Sequence, residues 1–231
     1  MRYWVVMPAA GAGRRFGTAL PKQYVRLAGR CVIEWSLQPF LDDVRCQGIA
    51  VALAPDDAHW AGLTLVAEPG RLLPTLGGEE RCESVLRGLA ALPAQPQDWV
   101  LVHDAARPCV SPAEIDALLA QLGDHPTGGL LAVPLADTLK QADADGAVAA
   151  TVPRAGLWRA LTPQMFRHGA LTAALQRALS RGERPTDEAQ ALEACGGRPQ
   201  LVEGSPQNIK ITNAADLALA EAVLRTRGVT T

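Results

Sequence analysis

Short apolar runs alternate along most of the chain with stretches in which apolar residues recur every three or four positions. The first pattern predicts strands at 3–7, 48–54, 63–67, 99–103, 129–134 and 199–203. The second predicts helices at 32–41, 81–92, 112–122, 168–179, 187–195 and 214–225. This alternation is that of an α/β chain with a mostly parallel sheet flanked by helices on both faces. Two helix starts are written out in side chains. Ser111, Pro112 and Glu114 make a capping box with proline at the first helical position, and Asn213 with Asp216 makes a similar start. No internal repeat is evident, and Pro93 to Pro96 reads as a rigid loop rather than a linker, so residues 1–231 are expected to form one domain.

One segment breaks the alternation. Residues 135–154, LADTLKQADADGAVAATVPR, hold two β-compatible runs around Asp143 and Gly146 with few large apolar side chains. A hairpin so poor in hydrophobes cannot sit in a core and is marginal alone in water. It is either a solvated flap or an arm that needs a partner surface, most simply a second copy of the chain.

Composition narrows the function classes. A chain of 231 residues can bury roughly 70% of its unfolded surface without disulfides or metal. The net charge of −2 supplies no global field for nucleic acid, so any phosphate site must be a local cluster of cations. Five cysteines with no C-x-x-C spacing read as reduced cytoplasmic thiols, neither a disulfide framework nor a zinc knuckle. No run of 18 apolar residues and no basic, then apolar, leader is present, so neither membrane spanning nor secretion is expected.

The chemistry concentrates in loops that follow the strands, where ligands of doubly wound sheets bind. The first, PAAGAGRRFG, runs from Pro8 to Gly17 and offers bare backbone N–H groups together with Arg14 and Arg15, with Lys22 just beyond. It is not a P-loop, because Phe16 and Gly17-Thr18 stand where Gly-Lys-Ser/Thr is required. It is not a dinucleotide fingerprint either, because Phe16 replaces the third glycine. The run WVLVHD ends in Asp104, a carboxylate costly at the end of an apolar strand unless it is paired or bound to metal; an ion pair with Arg107 would also explain it. In NIKIT, Lys210 alternates with two isoleucines and so faces away from the core, as a surface lysine would too. GGEERCESV places glycines before a helix whose first turns carry Arg81 and Ser84, and Thr186 stands at a further helix start where capping alone would account for it.

In this order, PAAGAGRRFG…PKQY, GGEERCESV, VHDAARP, DTLK, LTPQMF, TDEAQALE and NIKIT closely resemble the bacterial 2-C-methyl-D-erythritol 4-phosphate cytidylyltransferases. The resemblance implies a Rossmann-like nucleotidyltransferase fold with a projecting β-arm at 135–154, and a homodimer formed through that arm. It implies transfer of CMP from CTP to methylerythritol 4-phosphate with release of pyrophosphate, and dependence on Mg²⁺ or another divalent cation. Carried over residue by residue, Arg15, Lys22 and Lys210 are the expected catalytic cations. Pro8, Ala9, Ala10, Gly11, Gly13, Gly78, Glu79, Ser84, Asp104 and Ala105 are expected around the nucleotide, although the family commonly carries Asp where Glu79 stands. Arg107, Thr138, Arg154, Thr162 and Thr186 are expected around the sugar alcohol phosphate, with Thr138 and Arg154 reaching the other subunit's site. Asp104 is the expected protein contact of a metal held mainly by the CTP phosphates. The nearest alternative is a cytidylyltransferase for another sugar alcohol phosphate such as ribitol 5-phosphate. A nicotinamide-dependent oxidoreductase or a non-catalytic nucleotide-binding module fits the loops less well.

Overall fold

The apolar run Tyr3–Pro8 forms strand β1 inside a seven-stranded sheet in the computed structural model, which describes residues 1–11 and 20–228. Its neighbours are β4 (Cys46–Leu53) and β6 (Trp99–Val102), both parallel to it, and β5 (Leu72–Leu76) extends the sheet beyond β4, again in parallel. On the other side lie β10 (Trp158–Arg167), β7 (Gly128–Pro134) and β11 (Gln200–Glu203), giving the order β11-β7-β10-β6-β1-β4-β5. Two short strands, β2 (Arg26–Leu27) and β3 (Arg30–Cys31), form a separate antiparallel pair.

Strand alternation sorts β1 between two cores. Tyr3, Val5 and Met7 pack with residues of α1 (Val32–Leu41) and α3 (Pro112–Leu122), among them Ile33, Leu37, Phe40, Ile115 and Leu118. Val6 joins the opposite cluster with Val85 and Leu89 of α2 (Arg81–Ala91) and Leu171 and Leu175 of α4 (His168–Ser180). The short helix α5 (Glu188–Glu193) adds Ala189 and Leu192 to that face. Helix α6 (Ala214–Thr226) packs Ala220, Val223 and Leu224 against Leu27 and Val32 in a third, smaller cluster. Both expected helix starts are present: Ser111 accepts from the Glu114 N–H, and Asn213 accepts from the N–H groups of Ala215 and Asp216.

Two features depart from the sequence reading. The expected strand at 63–67 is not one. Leu63, Leu65 and Ala67 do pack on the core with period two, but the segment pairs with no strand, and the ladder to β4 is made instead by Leu72–Leu76. That run contains Pro74, which an edge strand tolerates because one of its sides needs no donor. The second departure is β10, which the pattern missed. It runs antiparallel between β6 and β7, with a register break between Ala160 and Gln164 around Pro163. Its central residues, Leu161 to Phe166, are all buried, so no alternation marks the strand, and its antiparallel direction makes the sheet mixed.

The polar segment between β7 and β10 is a hairpin of β8 (Leu139–Ala142) and β9 (Val148–Val152), exposed along almost its whole length. Asp143 closes its turn by accepting from the N–H groups of Asp145 and Ala147, and Gly146 takes a φ of 83° there. At its base the Arg154 guanidinium donates to the Ala136 carbonyl. No helix among the described residues is long and apolar enough to cross a membrane.

Candidate active site

Because β1, β4, β5 and β6 run parallel, their carboxyl ends lie on one side of the sheet and their following loops meet there. The first loop is tied to its neighbour by the Ala9 N–H donating to the Ala52 carbonyl at 2.8 Å. Lys22 opens a 3-10 turn, Lys22–Tyr24, whose Gln23 amide reaches back to donate to the carbonyls of Ala9 (2.7 Å) and Gly11 (3.4 Å). Gly77 packs so tightly that a Cβ there would fall 2.4 Å from that of Ala10, and one on Gly78 would fall 2.3 Å from that of Glu83. Only glycine lets these loops approach, which explains the pair in the sequence. Ser84 accepts from the Gly78 N–H at 3.0 Å, so its hydroxyl shapes the loop.

The loops enclose a cavity of about 150 Å³ that opens into a wider cleft of about 990 Å³. Of the residues expected at the site, Pro8, Ala9, Ala10, Gly11, Lys22, Gly78, Glu79, Ser84, Asp104, Ala105 and Lys210 all line the cavity. Gly13 and Arg15 lie outside the described residues. Arg107 and Thr162 are buried beside Asp104, while Thr138, Arg154 and Thr186 are exposed and do not line the cavity. Thr186 binds Gln190 Oε1 through both its N–H and its hydroxyl, and the helix cap itself is Asp187.

Asp104 is the electrostatic centre. Its Oδ2 lies 2.8 Å from Lys210 Nζ and its Oδ1 accepts from Arg81 Nε at 3.0 Å. The anticipated partner Arg107 is farther, at 3.6 Å, and gives its Nη1 to the Asn208 carbonyl at 2.7 Å. Burial alone would raise the Asp104 carboxyl, but Arg81, Lys210 and Arg107 overcome it and hold it well below the usual carboxylate range. Lys210 reaches this point because the Ile211 N–H donates to the Ala106 carbonyl and Ile211 is buried.

Directly before Asp104, His103 is fully buried and its N–H donates to the Val6 carbonyl. Burial pushes the imidazole pKa down to about 4, so the ring is neutral near pH 7. Its Nε2 faces the Arg107 carbonyl at 3.1 Å, which can only accept, so the proton sits on Nε2 and Nδ1 is an acceptor. The Thr162 hydroxyl, 3.0 Å from Nδ1, therefore donates to it while accepting the Asp104 N–H at 3.1 Å. Thr162 thus fixes the backbone at Asp104.

In the sequence Arg81 stands only as a residue of a helix's first turns, and neither Glu188 nor Gln23 is marked as part of a site. Arg81 forks onto Glu188, Nη1 to Oε1 at 2.6 Å and Nη2 to Oε2 at 3.1 Å. Nothing local marks that pair, since its members come from α2 and α5.

The model of the family described as 2-C-methyl-D-erythritol 4-phosphate cytidylyltransferase matches residues 3–226. Curated proteins of that name from Ectopseudomonas mendocina (strain ymp) and Dechloromonas aromatica (strain RCB) are 54% and 51% identical to the chain. The first alignment covers 94% of this chain and 93% of the relative, the second 98% and 99%. A crystal structure of the Francisella tularensis protein of the same name superposes with a TM-score of 0.83 at 37% identity, covering 96% of this chain and 100% of that one.

Proposed function

The chain belongs to the 2-C-methyl-D-erythritol 4-phosphate cytidylyltransferase family and transfers CMP from CTP to that sugar alcohol phosphate, and we propose that it does so in the cleft around Asp104 and Lys210. The observation that carries this reading is the convergence of Lys22, Lys210 and Arg81 on one cavity that is also lined by the glycine- and alanine-rich loops at Pro8–Gly11, Gly78 and Ala105–Ala106. The phosphate oxygen of methylerythritol 4-phosphate attacks the α-phosphorus of CTP. A new P–O bond forms as the bond to the β-phosphate's bridging oxygen breaks, and pyrophosphate leaves. Both reactants are anions, so repulsion is the first obstacle, and cations fixed in advance lower it without reorganising during the reaction. Lys22 and Lys210, with Arg15 from the first loop, clasp the triphosphate and stabilise the leaving pyrophosphate. No protein nucleophile or general base is needed, because the attacking phosphate is already ionised near neutral pH.

The backbone of Pro8 to Gly11 and Gly13, with Gly78, Glu79, Ser84 and Ala105, surrounds the nucleotide. Arg107, Thr162 and Thr186 belong to the substrate side, Thr162 by holding Asp104 in place. Thr138 and Arg154 act on the site of a second copy of the chain, which their exposed arm reaches in a cytoplasmic homodimer. Of the carboxylates that line the inner cavity, Glu79, Glu80 and Asp104, Asp104 is the one paired with Lys210 and Arg81, and no cluster of three metal-ligating side chains exists among the described residues. A single hard oxygen donor suits Mg²⁺ whose other ligands are phosphate oxygens and water. When bound, the ion would neutralise triphosphate charge.

Pyrophosphate release measured over CTP, UTP and ATP, each with methylerythritol 4-phosphate or ribitol 5-phosphate, tests the reading. Turnover should be best with CTP and methylerythritol 4-phosphate and poor with UTP, because cytosine donates at position 4 where uracil accepts. Equal efficiency with all three nucleotides, or a preference for ribitol 5-phosphate, would contradict it.

A further inference from the structure

Glu188 is among the most enclosed charges of the described chain, with a side chain 1% exposed, yet it lines neither the cavity nor the cleft. Its carboxylate is spent wholly on the fork of Arg81. The third donor of that guanidinium, Nε, fixes Oδ1 of Asp104 and leaves Oδ2 to Lys210. We infer that Glu188 is a positioning residue of the CMP transfer, setting the Arg81 guanidinium so that Asp104 presents Lys210 to the phosphates.

Helix α5 does not need this contact to find its place. Gln164 of β10 anchors the helix start independently, accepting from the Ala189 N–H at 2.9 Å and donating to Asp187 Oδ2 at 3.1 Å, while Asp187 caps the Gln190 N–H. Glu188 is therefore carried to Arg81 by a helix already fixed, and its own side chain is left to orient the guanidinium. The charge balance points the same way. Arg81, Arg107 and Lys210 face two carboxylates, so the cluster keeps one positive charge in excess toward the cavity. Without Glu188, Arg81 loses the partner that holds both Nη atoms, and Asp104 can turn with it. A shift of about 1 Å in a positioned cation is enough to lower turnover by about 10²-fold.

This inference rests on the transfer reaction described above, and wild-type turnover in the same assay keeps the two readings apart. The test is a double-mutant cycle of Glu188→Gln and Arg81→Lys in the full chain. Lysine keeps the charge of Arg81 but cannot fork. Kinetics are read by pyrophosphate release, and folding by thermal melting. Each single variant should lose about 10–100-fold in kcat, the scale for removing an outer contact that orients a reacting group, with KM for CTP within about threefold of wild type. The double variant should be no worse than the poorer single, because both remove one contact. Glu188→Asp, which keeps the charge, should recover part of the loss, and it takes the place of Glu188→Gln in the cycle if the latter fails to fold. Wild-type kcat in a folded Glu188 variant, or losses that multiply in the double variant, would overturn the inference.

Discussion

Lys210 Nζ stands 2.8 Å from Asp104 Oδ2, so a cation expected to meet phosphate is held by a buried carboxylate. Asp104→Asn keeps the shape but removes the charge that Arg81, Arg107 and Lys210 share. Removing the buried carboxylate that three cations share should cost about 3 kcal/mol, read as a lowered urea midpoint. A midpoint unchanged from wild type would mean that these cations are balanced elsewhere.

His103 should make the fold acid-sensitive in a defined window. Its pKa falls from 6.5 to about 4 on folding, so between those values the unfolded chain binds the extra proton more readily. Stability is then complete above pH 6.5 and declines as pH drops toward 4, by up to about 3 kcal/mol. Asp104, held well below the usual carboxylate range, titrates lower still. The melting temperature of His103→Gln should therefore fall less than that of wild type between pH 7 and pH 4.5. Equal acid sensitivity of the two proteins would contradict a neutral, buried His103.

The exposed arm offers a separate test of the homodimer. If Arg154 serves the neighbouring chain and Lys22 its own, Arg154→Ala and Lys22→Ala homodimers should each be nearly inactive. Mixing equal amounts should restore about a quarter of wild-type sites, since about half the dimers are mixed and each carries one complete site. With subunit exchange shown independently, for example by mass spectrometry of labelled chains, a mixture as inactive as its parents would mean that the arm acts within its own chain.

What could be read in the sequence was whatever a short window carries. The strand before PAAGAG, the Ser111 and Asn213 caps and the hairpin turn at Asp143 are local, and all are present. The alternation at 63–67 was equally local and misled, because period two describes one-sided packing and says nothing about whether a partner strand exists. β10 is hidden for the opposite reason, because its central residues are buried on both faces and do not alternate. The loops that form the cavity were legible as glycines and charges after strands. The Arg81–Glu188 fork and the His103–Thr162 bond were not, since each joins distant segments whose residues look ordinary alone. Asp104 shows the limit most directly: a short window points to Arg107, three residues along the chain, whereas the shorter contacts are to Arg81 and Lys210.

The direct measurement for the cleft as the site of CMP transfer is turnover of Lys22→Ala and Lys210→Ala at saturating CTP, methylerythritol 4-phosphate and Mg²⁺. Lys22→Ala should melt close to wild type, because Lys22 is only partly buried, whereas Lys210→Ala takes one of three cations from buried Asp104 and should melt lower while remaining folded. Both should lose roughly 10²–10³ in kcat, the scale for removing a fixed charge that acts mainly in the transition state, with CTP binding affected less. Near-normal turnover of both folded variants under those conditions would place the chemistry somewhere other than this cleft.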